Sequence, residues 1–316
     1  MNYGRTPIIH RNIEHLKFIV ESVADLEAKE LSAAPRQERR LTNFARRLYT
    51  RPMSAIGATI TLIFLLVALF GPWIAPYGAT EIIPSDARQP PSADHWFGTD
   101  NLGRDVFSRV ILGAREILVF SGLGTLLAVI SGTLLGLLAG YRGGWFDEVL
   151  MRIFDSLLAL PALLLALLFL GTLGQSEVGV LVVIVIVYTP IVARVVRSVV
   201  LSIRSKAFVE AACLQGEKQS RILAREILPS TLPALTVEAA LRFSYAIFLV
   251  ASLGFLGVGV QPPSPNWGLM VEEARDYVAL IPWAMVFPAL AISIVVIGVN
   301  LLADGLKKVL LTQDAG

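Results

Sequence analysis

The sequence predicts an all-α polytopic membrane protein with about six transmembrane helices. Three observations carry this. Only 16% of the 316 residues are charged and mean hydropathy is +0.66, whereas a soluble domain has about 25% charged residues. Six apolar stretches reach or approach the roughly 20 residues that cross a bilayer. Lys and Arg collect in alternate connections between those stretches, as they do on the cytoplasmic side of membrane proteins.

The first stretch runs from about Ser54 to Ala75 and the second from Ile117 to Gly140, neither with a charge. The third covers Ser156 to Gly174. The fourth starts near Val178 and stays apolar to Ala193, with Arg194 and Arg197 at its end. The fifth begins near Leu232 and reaches about Val260, and the sixth runs from Val278 to Ala303. With the N-terminus placed in the cytoplasm, the inner segments hold 21 basic residues and the outer loops 5, with Arg242 left inside a span. Both termini are therefore expected inside. Residues 1–50 form a cytoplasmic segment, 51–308 the membrane domain and 309–316 a cytoplasmic tail. The first residues lack the short apolar core of a cleavable signal. Ile13 to Leu31 has helical apolar spacing and reads equally as an amphipathic surface helix or a solvated tail.

Composition also excludes functions. A net charge of +2 does not point to nucleic acid. One cysteine, Cys213, allows no internal disulfide and no multi-cysteine metal site. The three histidines, His10, His15 and His95, lie outside the spans, so a metal site in the membrane is not expected. No GxxxxGK[ST] run is present, so the chain binds no nucleotide by that device and is expected to carry no cofactor.

Two connections are too long to be plain links. One is external, 77–116. The other is internal, from Arg194 to Ser230, with its helical part at 200–230. Residues 209–233 read VEAACLQGEKQSRILAREILPSTLP. Two short helical stretches flank Gly216, and glycine turns the chain sharply because it accepts positive φ. Pro229 falls near the start of the next span, where its missing N–H does least harm. Ala211 and Ala212 let another backbone come close. The spacing predicts a basic helix–turn–helix on the cytoplasmic surface, suited to a groove on a partner.

The run Glu210-Ala211-Ala212, then Gly216, then Leu228-Pro229, resembles the EAA motif of ABC importer permeases. His95 to Arg109 (HWFGTDNLGRDVFSR) resembles the same family's HPLGTD and GRDVLSR elements. AGYRGGWFD at Ala139 to Asp147, Met151-Arg152 with Asp155 and Leu158-Ala159-Leu160-Pro161, SLGFLG at Ser252 to Gly257 with Pro262 to Pro265 and Trp267-Gly268, and NLLADGL at Asn300 to Leu306 continue the match in order. The chain resembles the second permease of dipeptide/oligopeptide ABC importers, the DppC/OppC type. It departs from the pattern at Cys213, Glu226, Ser230 and Val250.

The resemblance implies a type I ABC importer permease fold in a bacterial inner membrane. It implies a second homologous permease, two ATP-binding subunits that use ATP and Mg, and a substrate-binding protein. It implies that Glu210, Ala211, Ala212, Gly216, Leu228 and Pro229 meet the ATPase, and that cargo is peptide-like, with nickel or metal chelates and antimicrobial peptides as family alternatives.

Single features have more than one reading. Gly132, Gly136 and Gly140 form overlapping GxxxG repeats, which suggest packing against another subunit rather than a substrate site. Glu238 and Arg242 share a helix face. Both fall in the first third of the fifth stretch, as a structural pair at the inward mouth or as a substrate contact. Asp155, beside Arg152, invites the same two readings. Gly98, Thr99, Asp100, Gly103, Arg104 and Asp105 read as an external loop held by salt bridges, because no nucleophile or metal ligand accompanies the carboxylates. A secondary transporter would need an acidic residue central in a span and internal repeats. A membrane enzyme would need histidine or serine clusters at one depth. The sequence presents neither.

Overall fold

The computed structural model describes residues 48–310. The chain divides after Thr50 into two units, and the helices α1–α10 all lie in the second. The segment Ile13 to Leu31 and the last six residues lie outside the described residues. Among the described residues there is no strand, only a single bridge between Thr99 and Asp105.

Helix α1 (Pro52–Ile74) starts on a proline, whose missing N–H is harmless in a first turn. Helix α2 (Val106–Arg142) is capped by Asp105, whose carboxylate accepts from the Ser108 amide at 2.7 Å. Its 37 residues span about 55 Å at 1.5 Å per residue, well beyond the ~30 Å hydrocarbon core. The predicted second span is thus the later part of a helix that begins three turns earlier. Those early turns carry Arg109, Arg115 and Glu116.

The predicted third span is not one helix. Helix α3 (Gly144–Leu158) and helix α4 (Ala162–Leu173) meet at a 94° bend. Pro161 sits at the break as the N-cap of α4. Its ring disfavours helical geometry in the residue before it. Among the described residues, five helices are long and apolar enough to cross a membrane, or six if the bent pair is one span.

Helix α5 (Glu177–Ile203) is capped by Ser176, whose hydroxyl accepts from Gly179 at 3.0 Å. It runs on past Ala193, so the first ten residues of the expected inner loop are a helical extension. Helix α6 (Ala207–Leu214) and helix α7 (Gln219–Ile222) follow. A π-turn over Leu223–Ile227 leads into helix α8 (Leu228–Phe255). The widened turn lies just before Pro229, which cannot donate to a carbonyl four residues back. Helix α9 (Trp267–Ala274) is capped by Asn266, and helix α10 (Pro282–Leu310) ends with Lys307 and Lys308 in its last turn.

Helix α2 packs along α5 more extensively than any other described pair of helices packs. The small residues on α2 make this possible. A Cβ added at Gly132 would lie 2.6 Å from Val192 Cβ, one at Gly136 2.5 Å from Ala193 O, and one at Gly140 2.8 Å from Val200 Cβ. The glycine stripe therefore seats a helix of the same chain, not another subunit as the sequence suggested. Two apolar cores result. The larger joins α2, α5, α8 and α10 around Ile117, Ile184, Ile247 and Val295. The smaller gathers Val196, Val200, Val209, Ile222 and Ile227 beneath the short helices α6 and α7.

Candidate functional site

Three regions carry polar groups with chemical potential: the inner helical turn, a cluster at the outer end of α2, and a cavity beside α8.

The inner turn is built from the predicted residues. Val209 on α6 is buried against Ile222 and Ile227, which anchors both short helices to the end of α5. Gly216 has φ of 74°, in the left-handed region that favours glycine, and its N–H donates to Cys213 O at 3.0 Å. Glu210, Ala211 and Gly216 are exposed and Ala212 is half-buried. Leu214 is 83% exposed. Glu210 has no ion pair among the described residues. An apolar and acidic ridge therefore points away from the chain. Leu228 and Pro229 open α8 behind it and are half-buried and exposed, respectively.

The basic residues of this region are largely engaged. Arg197 forms a two-pronged pair with Asp147, its Nη2 lying 2.6 Å from Oδ2. Arg204 donates to Gly140 O at 3.1 Å, covering a carbonyl at the end of α2. Arg221 pairs with Glu217 at 3.0 Å. Asp155 pairs with Arg194 on α5, while its sequence neighbour Arg152 contacts Glu148 at 3.6 Å. The Asp147–Arg197 pair was not foreseen, since its partners are 50 residues apart.

The outer cluster brings together every predicted residue of the external loop. Gly98 and Gly103 have φ of 71° and 83°. The Thr99 carbonyl accepts from Trp283 Nε1 at 2.9 Å, and its hydroxyl both accepts from Gln89 N at 2.8 Å and donates to Asp86 O. Asp100 receives Arg104 Nε at 2.5 Å and Arg109 Nη1 at 2.9 Å. Both arginines also reach Glu273 on α9, at 2.8 and 3.1 Å, and Arg109 Nη2 donates to Ser264 O at 3.1 Å. Two cations and two anions thus balance in a site where Arg109 is 1% exposed. Arg109 and Glu273 were missed as members. In the sequence Arg109 is one of the five basic residues of the outer loops, and Glu273 lies 169 residues from Arg104. No local pattern links them.

His95 joins this cluster. Its Nδ1 is 2.9 Å from Asp105 and its Nε2 is 3.4 Å from Asp86. Burial pushes the imidazole pKa down, but the hydrogen bonds to Asp105 and Asp86 outweigh it and leave the pKa above its usual value. A pKa raised by folding stabilises the loop fully below the unfolded value of ~6.5 and loses that contribution as pH rises through the higher folded value. Protease cleavage within 77–105 is therefore expected to increase above neutral pH. His95→Gln is expected to abolish that pH dependence, and a pH-independent wild-type profile would refute the assignment.

The third region is a cavity of about 280 Å³ between α4, α5 and α8. Leu163, Tyr188, Arg242, Tyr245, Phe248 and Ser252 are among its walls. Arg242 stands 14 residues from the start of α8 and 13 from its end, about 20 Å from each. It thus lies at the middle of α8, which begins earlier and ends sooner than the apolar stretch. Arg242 Nε lies 2.7 Å from Glu238 Oε1, yet the N–H is not aimed at that oxygen, and both atoms are buried without a hydrogen bond. The guanidinium carbon is 4.8 Å from the Tyr245 ring centre and 5.8 Å from that of Tyr188. Among the described residues no cluster of His, Cys, Asp or Glu could hold a metal.

The chain is similar to known proteins over most of its length. The family described as binding-protein-dependent transport system inner membrane component matches residues 132–312. The family described as N-terminal TM domain of oligopeptide transport permease C matches residues 40–91. The dipeptide transport system permease protein DppC of Alkalihalophilus pseudofirmus is 43% identical over 265 residues, covering 84% of this chain and 87% of the relative. The glutathione transport system permease protein GsiD of Escherichia coli is 42% identical over 268 residues, covering 84% and 88%. With its long apolar helices and outward-facing inner turn, the chain belongs to the family of binding-protein-dependent transport system inner membrane components, as a membrane-spanning permease subunit of an ABC importer.

Proposed function

We propose that this chain forms half of a translocation pathway for short peptides and couples it to a separate ATPase by alternating access. It pairs with a second, homologous permease. Two ATP-binding subunits, which use ATP and Mg, dock on the inner turn, and a substrate-binding protein delivers solute from outside. The chain itself catalyses no reaction and binds no cofactor. Both termini lie in the cytoplasm, as the 21-to-5 distribution of Lys and Arg favours.

The observation that carries the reading is the exposed ridge of Glu210, Ala211 and Leu214, held by a buried Val209 and turned at Gly216. A rigid projection anchored to the end of α5 can transmit a push from a partner into the membrane helices. Peptide cargo is supported by relatives named for dipeptide and for glutathione, itself a small peptide. A secondary transporter is not favoured, although Glu238 lies closer to mid-helix than the sequence suggested, because membership of a binding-protein-dependent transport family supports an energy source on a partner.

Proline cannot adopt the Gly216 φ of 74° and lacks the N–H given to Cys213. Gly216→Pro and Glu210→Lys are each expected to abolish uptake of labelled dipeptide and to uncouple ATP hydrolysis, with membrane insertion unchanged. Normal uptake by either variant in reconstituted importer would sink the assignment.

A further inference from the structure

The cavity beside α8 has the composition of a binding subsite. Its one cation, Arg242, donates no hydrogen bond among the described residues, and its contact with Glu238 is misaligned. A guanidinium carries five N–H donors in a planar fork that matches a carboxylate. Of these, Nε is buried without a hydrogen bond, which is costly, so the fork is poised for an acceptor from the cavity that it lines. Around it the walls are aromatic and aliphatic: Tyr188, Tyr245 and Phe248 with Leu163. The cavity also borders the first turn of α4, where Pro161 offers no side-chain cap to the free N–H groups. That helix end adds positive potential on the same side.

We infer that Arg242 is a specificity-determining residue that receives the carboxylate of a small solute with an apolar or aromatic body, such as a short peptide with a free C-terminus, partway through the membrane. The inference rests on the permease reading above and refines it. Glu238 holds the guanidinium in place while the cavity is empty, and its charge keeps the pair neutral between occupants. Tyr188 and Tyr245 steady the cation from the side, and Phe248 contacts the apolar part of the solute. A misaligned resident partner suits transport, because a solute can compete for the fork and later be displaced. The volume of about 280 Å³ is near the lower end of small-molecule sites, which favours a small solute over a long peptide.

The test uses the complete importer without its binding protein, in lipid nanodiscs. Equilibrium binding is measured for labelled alanyl-phenylalanine and for its C-terminal amide. The free acid is expected to bind about tenfold or more tightly than the amide, the worth of a charged hydrogen bond away from water. The double variant Glu238→Gln/Arg242→Gln keeps the site neutral. It is expected to weaken the acid to the level of the amide and leave the amide unchanged. Equal binding of acid and amide to the wild type overturns the inference, and so does a preference that survives in the double variant. Lack of binding of either probe also overturns it. The wild-type comparison stands even if the variant fails to assemble. Failure of any loaded binding protein to stimulate ATP hydrolysis in the wild type would instead count against the permease reading.

Discussion

Gly136→Leu is expected to prevent stable folding of the chain in the membrane. A Cβ there would already lie 2.5 Å from the Ala193 carbonyl oxygen and 2.8 Å from Val196 Cβ. Backbone on α5 cannot step aside as a flexible side chain can. Ordinary overpacking costs about 1–3 kcal/mol, and a leucine set against backbone belongs at or beyond the upper end. Close approach of helices through small residues is a main source of cohesion where lipid removes the hydrophobic driving force. The expected result is a strong loss of monodisperse protein after detergent extraction and a lowered Tm. Gly171→Ala is the control, because nothing lies within 4 Å of a Cβ added on α4. Wild-type yield and Tm for Gly136→Leu would show that α2 and α5 do not meet as closely as described.

The second large effect is expected from Arg109→Met. This change removes one of two cations from a buried site and leaves Asp100 and Glu273 sharing Arg104 alone. It also strips Ser264 O of its donor. Removing one partner of a buried ion pair costs roughly 3–5 kcal/mol, because the charge left behind stays desolvated. Since Arg109 ties the start of α2 to α9 and to the loop before it, the whole outer cap should loosen. The readout is protease cleavage of the external loop in oriented vesicles, expected to accelerate strongly. Arg109→Lys is not expected to restore protection, since one ammonium cannot reach Asp100, Glu273 and Ser264 in the geometry of the planar fork. Unchanged protection in Arg109→Met would show that the quartet does not hold the cap.

The inner turn was legible in the sequence almost residue by residue. Its elements are local: a glycine that needs positive φ, two short helical runs, and a proline placed where a first turn tolerates it. The outer loop was legible as a salt-bridged structure because Asp100, Arg104 and Asp105 are neighbours in the chain. What escaped was their partner Glu273 and the role of Arg109, which depend on α9 folding back against α2. The glycine stripe on α2 was legible as a packing surface but not as a surface for α5. A small-residue pattern specifies that something approaches closely and does not say what.

Hydropathy and charge determined the class of the protein and the positions of five long apolar helices. These are transfer energies summed along the chain, and they do not depend on which helix neighbours which. They did not reveal the bend between α3 and α4, where an apolar run of adequate length turns by 94° around Pro161. Only the tertiary structure decided that Arg242 sits at mid-helix beside a cavity, that Asp155 pairs with Arg194 rather than answering to Arg152, and that a neutral quartet closes the outer end. Each of these depends on distances between residues remote in sequence, and those distances are fixed by how the helices pack.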